Sequence, residues 1–188
     1  MDLTLSTLEL VCISLGAGSA FIFDSFFMLS LKDHKLRKIE VKMLYRISLL
    51  GVTSAILALC FYIALVITEL QASTDLSIGF ATAKLIIFGV ALSAGLALRS
   101  IHLPALVRHQ TDYLHLSERM VEHQNPLIAT AAHSTVAWIF VVFLTAVDSR
   151  GLVSTLNVTF IPIILTYIAI AYLASHVAVF VKNRILTR

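Results

Sequence analysis

The chain has 188 residues, of which 59% are hydrophobic and only 13% carry a formal charge, and its mean hydropathy is +0.92. Soluble domains are about 45–50% apolar and about 25% charged. The composition therefore excludes an ordinary soluble domain and predicts an integral membrane protein. The net charge of +3 does not indicate a partner of nucleic acid, because the basic residues flank apolar segments instead of forming a separate basic arm.

Five apolar segments are long enough to cross a bilayer as α-helices, since one span needs about 20 residues. They cover residues 8–31, 45–70, 77–102, 126–147 and 158–181. We therefore expect an all-α fold, a single bundle of five transmembrane helices that comprises residues 1–188. Cys12 and Cys60 both lie inside apolar segments, which indicates small buried side chains and no disulfide framework.

The basic residues are distributed unequally between the two ends of these segments. Of the 14 lysines and arginines, 12 lie at one set of ends, Arg150 lies alone at the opposite set, and Lys84 lies inside the third segment. Cytoplasmic loops carry the excess of basic residues. We therefore predict an outer N-terminus and a cytoplasmic C-terminus in a bacterial inner membrane. The lipid bilayer is the expected partner, and a homo-oligomer or a larger membrane complex is left open.

The first segment carries small residues at helical spacing that lead to a carboxylate. Gly16, Ala20 and Asp24 fall at i, i+4 and i+8, and small residues allow membrane helices to approach closely. We expect this stripe to face neighbouring helices and to turn Asp24 inward. There Asp24 would either form an ion pair with Arg46 or a histidine, or carry a proton.

Two prolines mark expected helix ends. Pro104 follows the third segment and predicts its end or a kink. Pro126 opens the fourth segment, at the first-turn position that proline favours.

Three ionisable side chains on different segments share one predicted depth. At the helical rise of about 1.5 Å per residue, Asp24, His133 and His176 each lie about 9–12 Å from the basic ends of their segments. Two facing imidazoles are a usual way to hold the iron of haem b. In that interpretation, the remaining cofactor-binding residues are His102, Arg46 and Arg99. The basic groups at the rim, Arg46, Arg99 and Lys182, would suit the propionates. The alternative is that each histidine bonds to a serine, such as Ser134 or Ser175, or to a backbone carbonyl.

Lys84 is the one basic residue inside an apolar segment. Its ammonium could reach the headgroups along its flexible stem, or it could be a buried cation or proton donor. Glu69, Asp75 and Asp148 are the carboxylates that could pair with it.

The longest polar segment contains a possible metal site. His115, Glu118 and Glu122 lie roughly on one side of a predicted helix, and histidine with carboxylate ligands suits zinc or iron. A solvated acidic surface is the alternative.

Short motifs in and after the third segment resemble a group of small bacterial inner-membrane proteins. The motifs are Ala83-Lys84-Leu85, the basic exit from Arg99 to Arg108, and Glu118-Arg119. In the first segment, Gly18…Asp24 stands where the HemJ-type first span has a glycine followed by a basic residue. The group includes the HemJ-type protoporphyrinogen oxidases and the CopD-type copper-resistance proteins. In the HemJ-type enzymes a first-span histidine and a third-span lysine form a functional pair. Lys84 matches that lysine, whereas the position near Leu8 carries no histidine.

The residues and the resemblance together favour a membrane protein that binds haem or a metal for electron transfer or tetrapyrrole-related chemistry. Two alternatives remain open at this stage. One is a small ion or metal transporter in which Asp24, Lys84 and the histidines form a relay. The other is a non-catalytic subunit whose polar residues only lock helices together.

Overall fold

The computed structural model describes residues 3–32, 37–71, 78–108, 118–149 and 160–186. These residues are helical throughout, apart from Arg37, and contain no strand. The helices are α1 (Leu3–Lys32), α2 (Lys38–Gln71), α3 (Ile78–Ala97), a π-helical segment (Leu98–His102), α4 (Leu103–Arg108), α5 (Glu118–Ser149) and α6 (Phe160–Leu186).

Five of the described helices are long and apolar enough to cross a membrane, which confirms the predicted helical segments. The qualifying stretches are Thr4–Leu29, Ile39–Gln71, Ile78–Ala105, Asn125–Asp148 and Phe160–Arg184. Large apolar side chains cover their outward faces, including Phe21, Leu29, Phe143 and Leu173. A soluble protein rarely exposes so extensive an apolar surface. The surface is consistent with contact to a lipid bilayer.

Four helices form a ring, and the last helix packs on its outside. In the ring α1 packs on α2, α2 on α3, α3 on α5, and α5 on α1. The last helix, α6, contacts mainly α5 and is the least buried of the five long helices.

Successive helices run in opposite directions, and the two ends of the bundle carry different polar side chains. Contacts between helices bring Glu9, Lys84 and Asp148 together near one end, which we call the acidic end. Contacts from Arg99 to α2 and from Lys182 to α5 lie near the other, which we call the basic end.

Small residues allow the ring to close around large aromatic ones. The core contains Ala83 and Ala91 of α3 beside Phe88 and Trp138. At Gly16 a Cβ atom would overlap the indole ring of Trp138. This contact confirms that the small-residue stripe of α1 faces a neighbouring helix.

Neither proline lies where a helix simply begins or ends. The prediction that Pro126 opens the fourth helix is wrong, because α5 begins at Glu118 and passes through Pro126. Pro104 lies in α4, which follows the π-helical segment without a break, and the Leu103 N–H donates to the Leu98 carbonyl. Wider π turns of this kind occur within longer helices, often near functional sites. The wider turn precedes Pro104, so the third helix continues to Arg108.

Candidate functional site

Lys84 lies at the centre of the ring, close to the acidic end. Its side chain has no exposed surface, and its Nζ atom lies 2.9 Å from Glu9 Oε1 and 3.6 Å from Asp148 Oδ2. Glu9 belongs to α1 and Asp148 to α5, so carboxylates from two helices meet one ammonium from α3. The lysine therefore points inward, and the expectation that it reaches the headgroups is not met.

The fourth helix of the ring contributes an aromatic ring to the same place. Lys84 Nζ lies 4.1 Å from the centroid of the Tyr62 ring, on α2. The negative face of an aromatic ring attracts a cation, most strongly where water is excluded. We call Glu9, Tyr62, Lys84 and Asp148 the Lys84 cluster, to which each helix of the ring contributes one residue.

The Lys84 cluster has one exposed member. The side chain of Asp148 is 36% exposed, whereas that of Glu9 is only 3% exposed. Glu69, at the end of α2, is half-buried and interacts electrostatically with Glu9, Asp148 and Lys84. Three carboxylates therefore interact with one ammonium, so the electrostatic potential at the acidic end is negative. Asp148 connects the outside of this end to the buried Glu9–Lys84 pair.

An aromatic layer closes the bundle below the cluster. The centroids of Tyr62 and Phe88 are 6.0 Å apart, and those of Phe88 and Trp138 are 6.4 Å apart with nearly perpendicular rings. Both separations lie in the range of favourable aromatic pairs. In this conformation the layer separates the Lys84 cluster from the interior nearer the basic end.

A small, mostly apolar cavity lies beyond the aromatic layer. It has a volume of about 30 Å³, and its lining includes the hydroxyls of Ser19, Ser48 and Ser134 among apolar side chains. A cavity needs about 10–15 Å³ of such volume to hold one water molecule. The cavity, which we call the serine cavity, therefore has room for about one or two water molecules.

Asp24 follows Phe23, which lines the serine cavity, and is turned inward toward α5 as predicted. The Thr135 hydroxyl of α5 donates a hydrogen bond of 2.6 Å to Asp24 Oδ2. Within the described parts of the chain, the recorded partner of Asp24 is thus a hydroxyl. The expected ion pair with Arg46 or a histidine is not formed.

His133 and His176 lie at the depth of Asp24 but do not face each other. His133 Nδ1 lies 2.8 Å from the Ser175 hydroxyl and 3.0 Å from the Ala129 carbonyl. His176 is exposed on α6, and its Nδ1 lies 2.9 Å from the Tyr172 carbonyl. These serine and carbonyl contacts are the hydrogen-bonding alternative that the sequence left open. Because residue 175 turns toward His133 and His176 turns away, this arrangement does not fit haem between the two imidazoles.

The other residues assigned to haem binding have separate partners near the basic end. Arg99 donates to the Tyr45 carbonyl over 3.4 Å, His102 Nε2 lies 3.2 Å from the Thr130 hydroxyl, and Arg46 is exposed. Haem binding stays a prediction, which a Soret absorption band in the purified protein would test.

The predicted metal site of the polar segment lies largely outside the described residues. His115 is not described, and neither are the side chains of Glu118 and Glu122. Among the described side chains, no group of three or more histidine, cysteine or carboxylate residues could hold a metal ion.

Glu9 and Tyr62 are the members of the Lys84 cluster that the sequence reasoning missed, and only Glu9 has a signal in the sequence. The spacing of Glu9 from the small-residue stripe could have revealed it, because Glu9 lies seven residues before Gly16 and therefore on the same face of α1. Asp148 is confirmed as a partner of Lys84, and Asp75 lies outside the described residues. Glu9 is also next to Leu8, the position at which the resemblance places the partner of the third-span lysine.

A comparison of the chain with protein-family models, curated proteins and solved structures finds no match. The resemblance to the HemJ-type and CopD-type proteins therefore stays a prediction, and the site is interpreted from its own geometry.

Proposed function

We propose that this is a multi-pass protein of the bacterial inner membrane that transfers protons along the axis of its helix bundle. The N-terminus and the acidic end face outward, and the basic end faces the cytoplasm. The unequal distribution of basic residues supports this orientation. The apolar outer surface of the helices supports insertion.

The observation that carries the proposal is the complete burial of Lys84 against Glu9. An ionisable residue inside a membrane is energetically expensive, and such residues mark ion or proton pathways. In the proposed function Asp148 takes up a proton from water at the acidic end. Lys84 then gives one proton of its ammonium to Glu9, whose Oε1 lies 2.9 Å from Nζ, and the amine recovers a proton from Asp148, whose Oδ2 lies 3.6 Å from Nζ.

The remaining polar groups continue along the axis toward the basic end. Water in the serine cavity would pass the proton on to Asp24, whose carboxylate is held by Thr135. The size of the cavity favours a proton over a larger solute. Because the aromatic layer lies between the Lys84 cluster and the cavity, transfer requires Phe88 or Trp138 to move, and the present conformation is the closed one.

Proton flux into liposomes tests the proposal. Purified protein is reconstituted with a pH-sensitive dye inside, and a potassium diffusion potential with valinomycin drives proton entry. We expect wild-type protein to acidify the interior faster than protein-free liposomes do. Lys84→Met and Glu9→Gln should lower the rate to that of protein-free liposomes.

Thr82→Ala is the matched control. Thr82 lies two residues from Lys84 on the exposed side of α3, and its hydroxyl bonds only to the Ile78 carbonyl of its own helix. This variant should keep the wild-type rate. Helix content and elution volume are measured for every variant, so that loss of folding is distinguished from loss of transfer.

One observation favours a second candidate, a structural subunit. The Lys84 cluster joins all four ring helices, which is the arrangement that a pair fixing helix register would adopt. Lys84→Met protein that folds normally and retains wild-type proton flux would contradict proton transfer and support this structural role.

A further inference from the structure

Two grooves follow the outer seam between α5 and α6, one toward each end of the bundle. The groove toward the acidic end has a volume of about 220 Å³ and is lined mainly by apolar side chains, among them Phe143 and Ile163. The groove toward the basic end has a volume of about 340 Å³, and we call it the basic-end groove. It is lined by Asn125, Pro126, Ala129, Ser175, His176 and Val179.

A buried lysine adjoins the basic-end groove. Lys182 of α6 is 3% exposed, and its Nζ donates a hydrogen bond of 2.6 Å to Asn125 Oδ1. Asn125 lines the groove, so the ammonium lies one side chain away from it. Among the described side chains, this amide oxygen is the recorded partner of Lys182, and it satisfies one N–H of the ammonium without neutralising its charge. A buried charge is favourable only when it is paired.

The surface of the basic-end groove is almost entirely apolar, and Ala129 and Val179 lie along it. Asn125 lies at the end that adjoins Lys182. Arg184 follows Lys182 on the same helix and adds positive charge at this end. A ligand that fits needs an apolar chain and an anionic head.

We propose that the basic-end groove binds one anionic phospholipid of the bilayer. One acyl chain lies along Ala129 and Val179, and the phosphate lies at Asn125, where it pairs with Lys182. Basic pockets between membrane helices bind anionic headgroups by this chemistry. The inference rests on the membrane insertion proposed above, but not on proton transfer.

Native mass spectrometry of the detergent-solubilised protein tests this site. The protein is incubated with equal amounts of phosphatidylglycerol and phosphatidylcholine, and the retained lipids are counted. We expect one phosphatidylglycerol to be retained in preference to phosphatidylcholine. Lys182→Gln should reduce this preference about fivefold, the effect of one basic side chain near an anionic lipid.

Three further substitutions distinguish lipid binding at a specific site from a general effect of positive charge and from misfolding. Ala129→Phe should displace the lipid by filling the groove while Lys182 stays in place. Thr166→Phe, in the groove toward the acidic end, should leave retention unchanged. Arg46→Gln removes one exposed positive charge from α2 and should also leave it unchanged.

Equal retention of the two lipids by wild-type protein would overturn the proposal. So would wild-type retention by both Lys182→Gln and Ala129→Phe, or a loss in Arg46→Gln as large as in Lys182→Gln. Flotation of the protein with vesicles tests insertion separately. A protein that floats but shows no lipid preference therefore contradicts the lipid site alone, and the flux experiment remains an independent test of proton transfer.

Discussion

A lysine with no exposed surface is rare in folded proteins, and charged residues are fully buried only when they are paired. Lys84 meets this condition through Glu9, through Asp148 and through the ring of Tyr62. Of the two carboxylates, Glu9 is the closer and the more deeply buried. Removing either member of the Glu9–Lys84 pair therefore leaves an uncompensated charge inside the bundle.

Stability measurements should show directly that Glu9 and Lys84 contribute to the free energy of unfolding as a pair. We expect Lys84→Met alone to lower the free energy of unfolding by about 3–5 kcal/mol, the usual effect of breaking a buried ion pair. The double variant Glu9→Leu with Lys84→Met should unfold close to wild type, because apolar pairs often replace buried ion pairs without loss. Denaturation in mixed detergent micelles, followed by circular dichroism, measures both. Additive losses in the double variant would contradict a direct pair.

The inward orientation of Lys84 was one of two readings of the sequence, and the structure decides between them. Periodicity placed Asp24 correctly, because the small residues before it mark the packed face of α1. The same helical spacing extends back to Glu9. A carboxylate in the first turns of a helix, however, is usually interpreted as part of the polar end of that helix. His133 and His176 were placed at the right depth. Their directions depend on how α6 is rotated against α5, which sequence spacing does not determine.

At the scale of helices, the contact of α1 with α5 depends on the absence of one side chain. Gly16 leaves room for the indole of Trp138, whereas a Cβ atom at Gly18, one half-turn further, would meet nothing within 4 Å. The two glycines therefore form a matched pair for mutation.

Gly16→Ala should destabilise the protein and Gly18→Ala should not. Overpacking a core contact costs about 1–3 kcal/mol, since a rigid ring must shift. The Gly18 substitution should be neutral or should stabilise α1 by up to about 1 kcal/mol. Thermal unfolding in detergent, followed by the fluorescence of Trp138, the only tryptophan of the chain, checks both. Equal melting temperatures for the two variants would contradict the close approach at Gly16.

The existence of five helices could be predicted, but their internal details could not. A membrane-length apolar run indicates a helix whatever surrounds it. The sequence does not predict the start of α5, because six of the eight residues before Pro126 are polar and the continuous apolar signal begins only after it. The amino-acid composition of the π-helical segment before Pro104 does not distinguish it from an α-helix, so only its backbone hydrogen bonds reveal it.

At the scale of the whole molecule, the proposed insertion of the five described spans places Leu3 and Leu186 on opposite sides of the membrane. The orientation can be measured by labelling single cysteines in a variant that carries Cys12→Ala and Cys60→Ala. We expect a cysteine at position 37 to be protected from a membrane-impermeant reagent in intact cells. A cysteine at position 74, after α2, should be labelled. Labelling of position 37 and protection of position 74 would reverse the proposed orientation.

The order of Glu9 and Lys84 along the chain has a consequence for biosynthesis. An unpaired lysine inside a helix that enters a bilayer is energetically disfavoured. Glu9 lies on α1, which is synthesised before α3, so in the proposed topology a carboxylate partner is already in the membrane when Lys84 arrives. Asp148 is synthesised later, on α5. We therefore expect α3 to pair with α1 early in the insertion of the bundle.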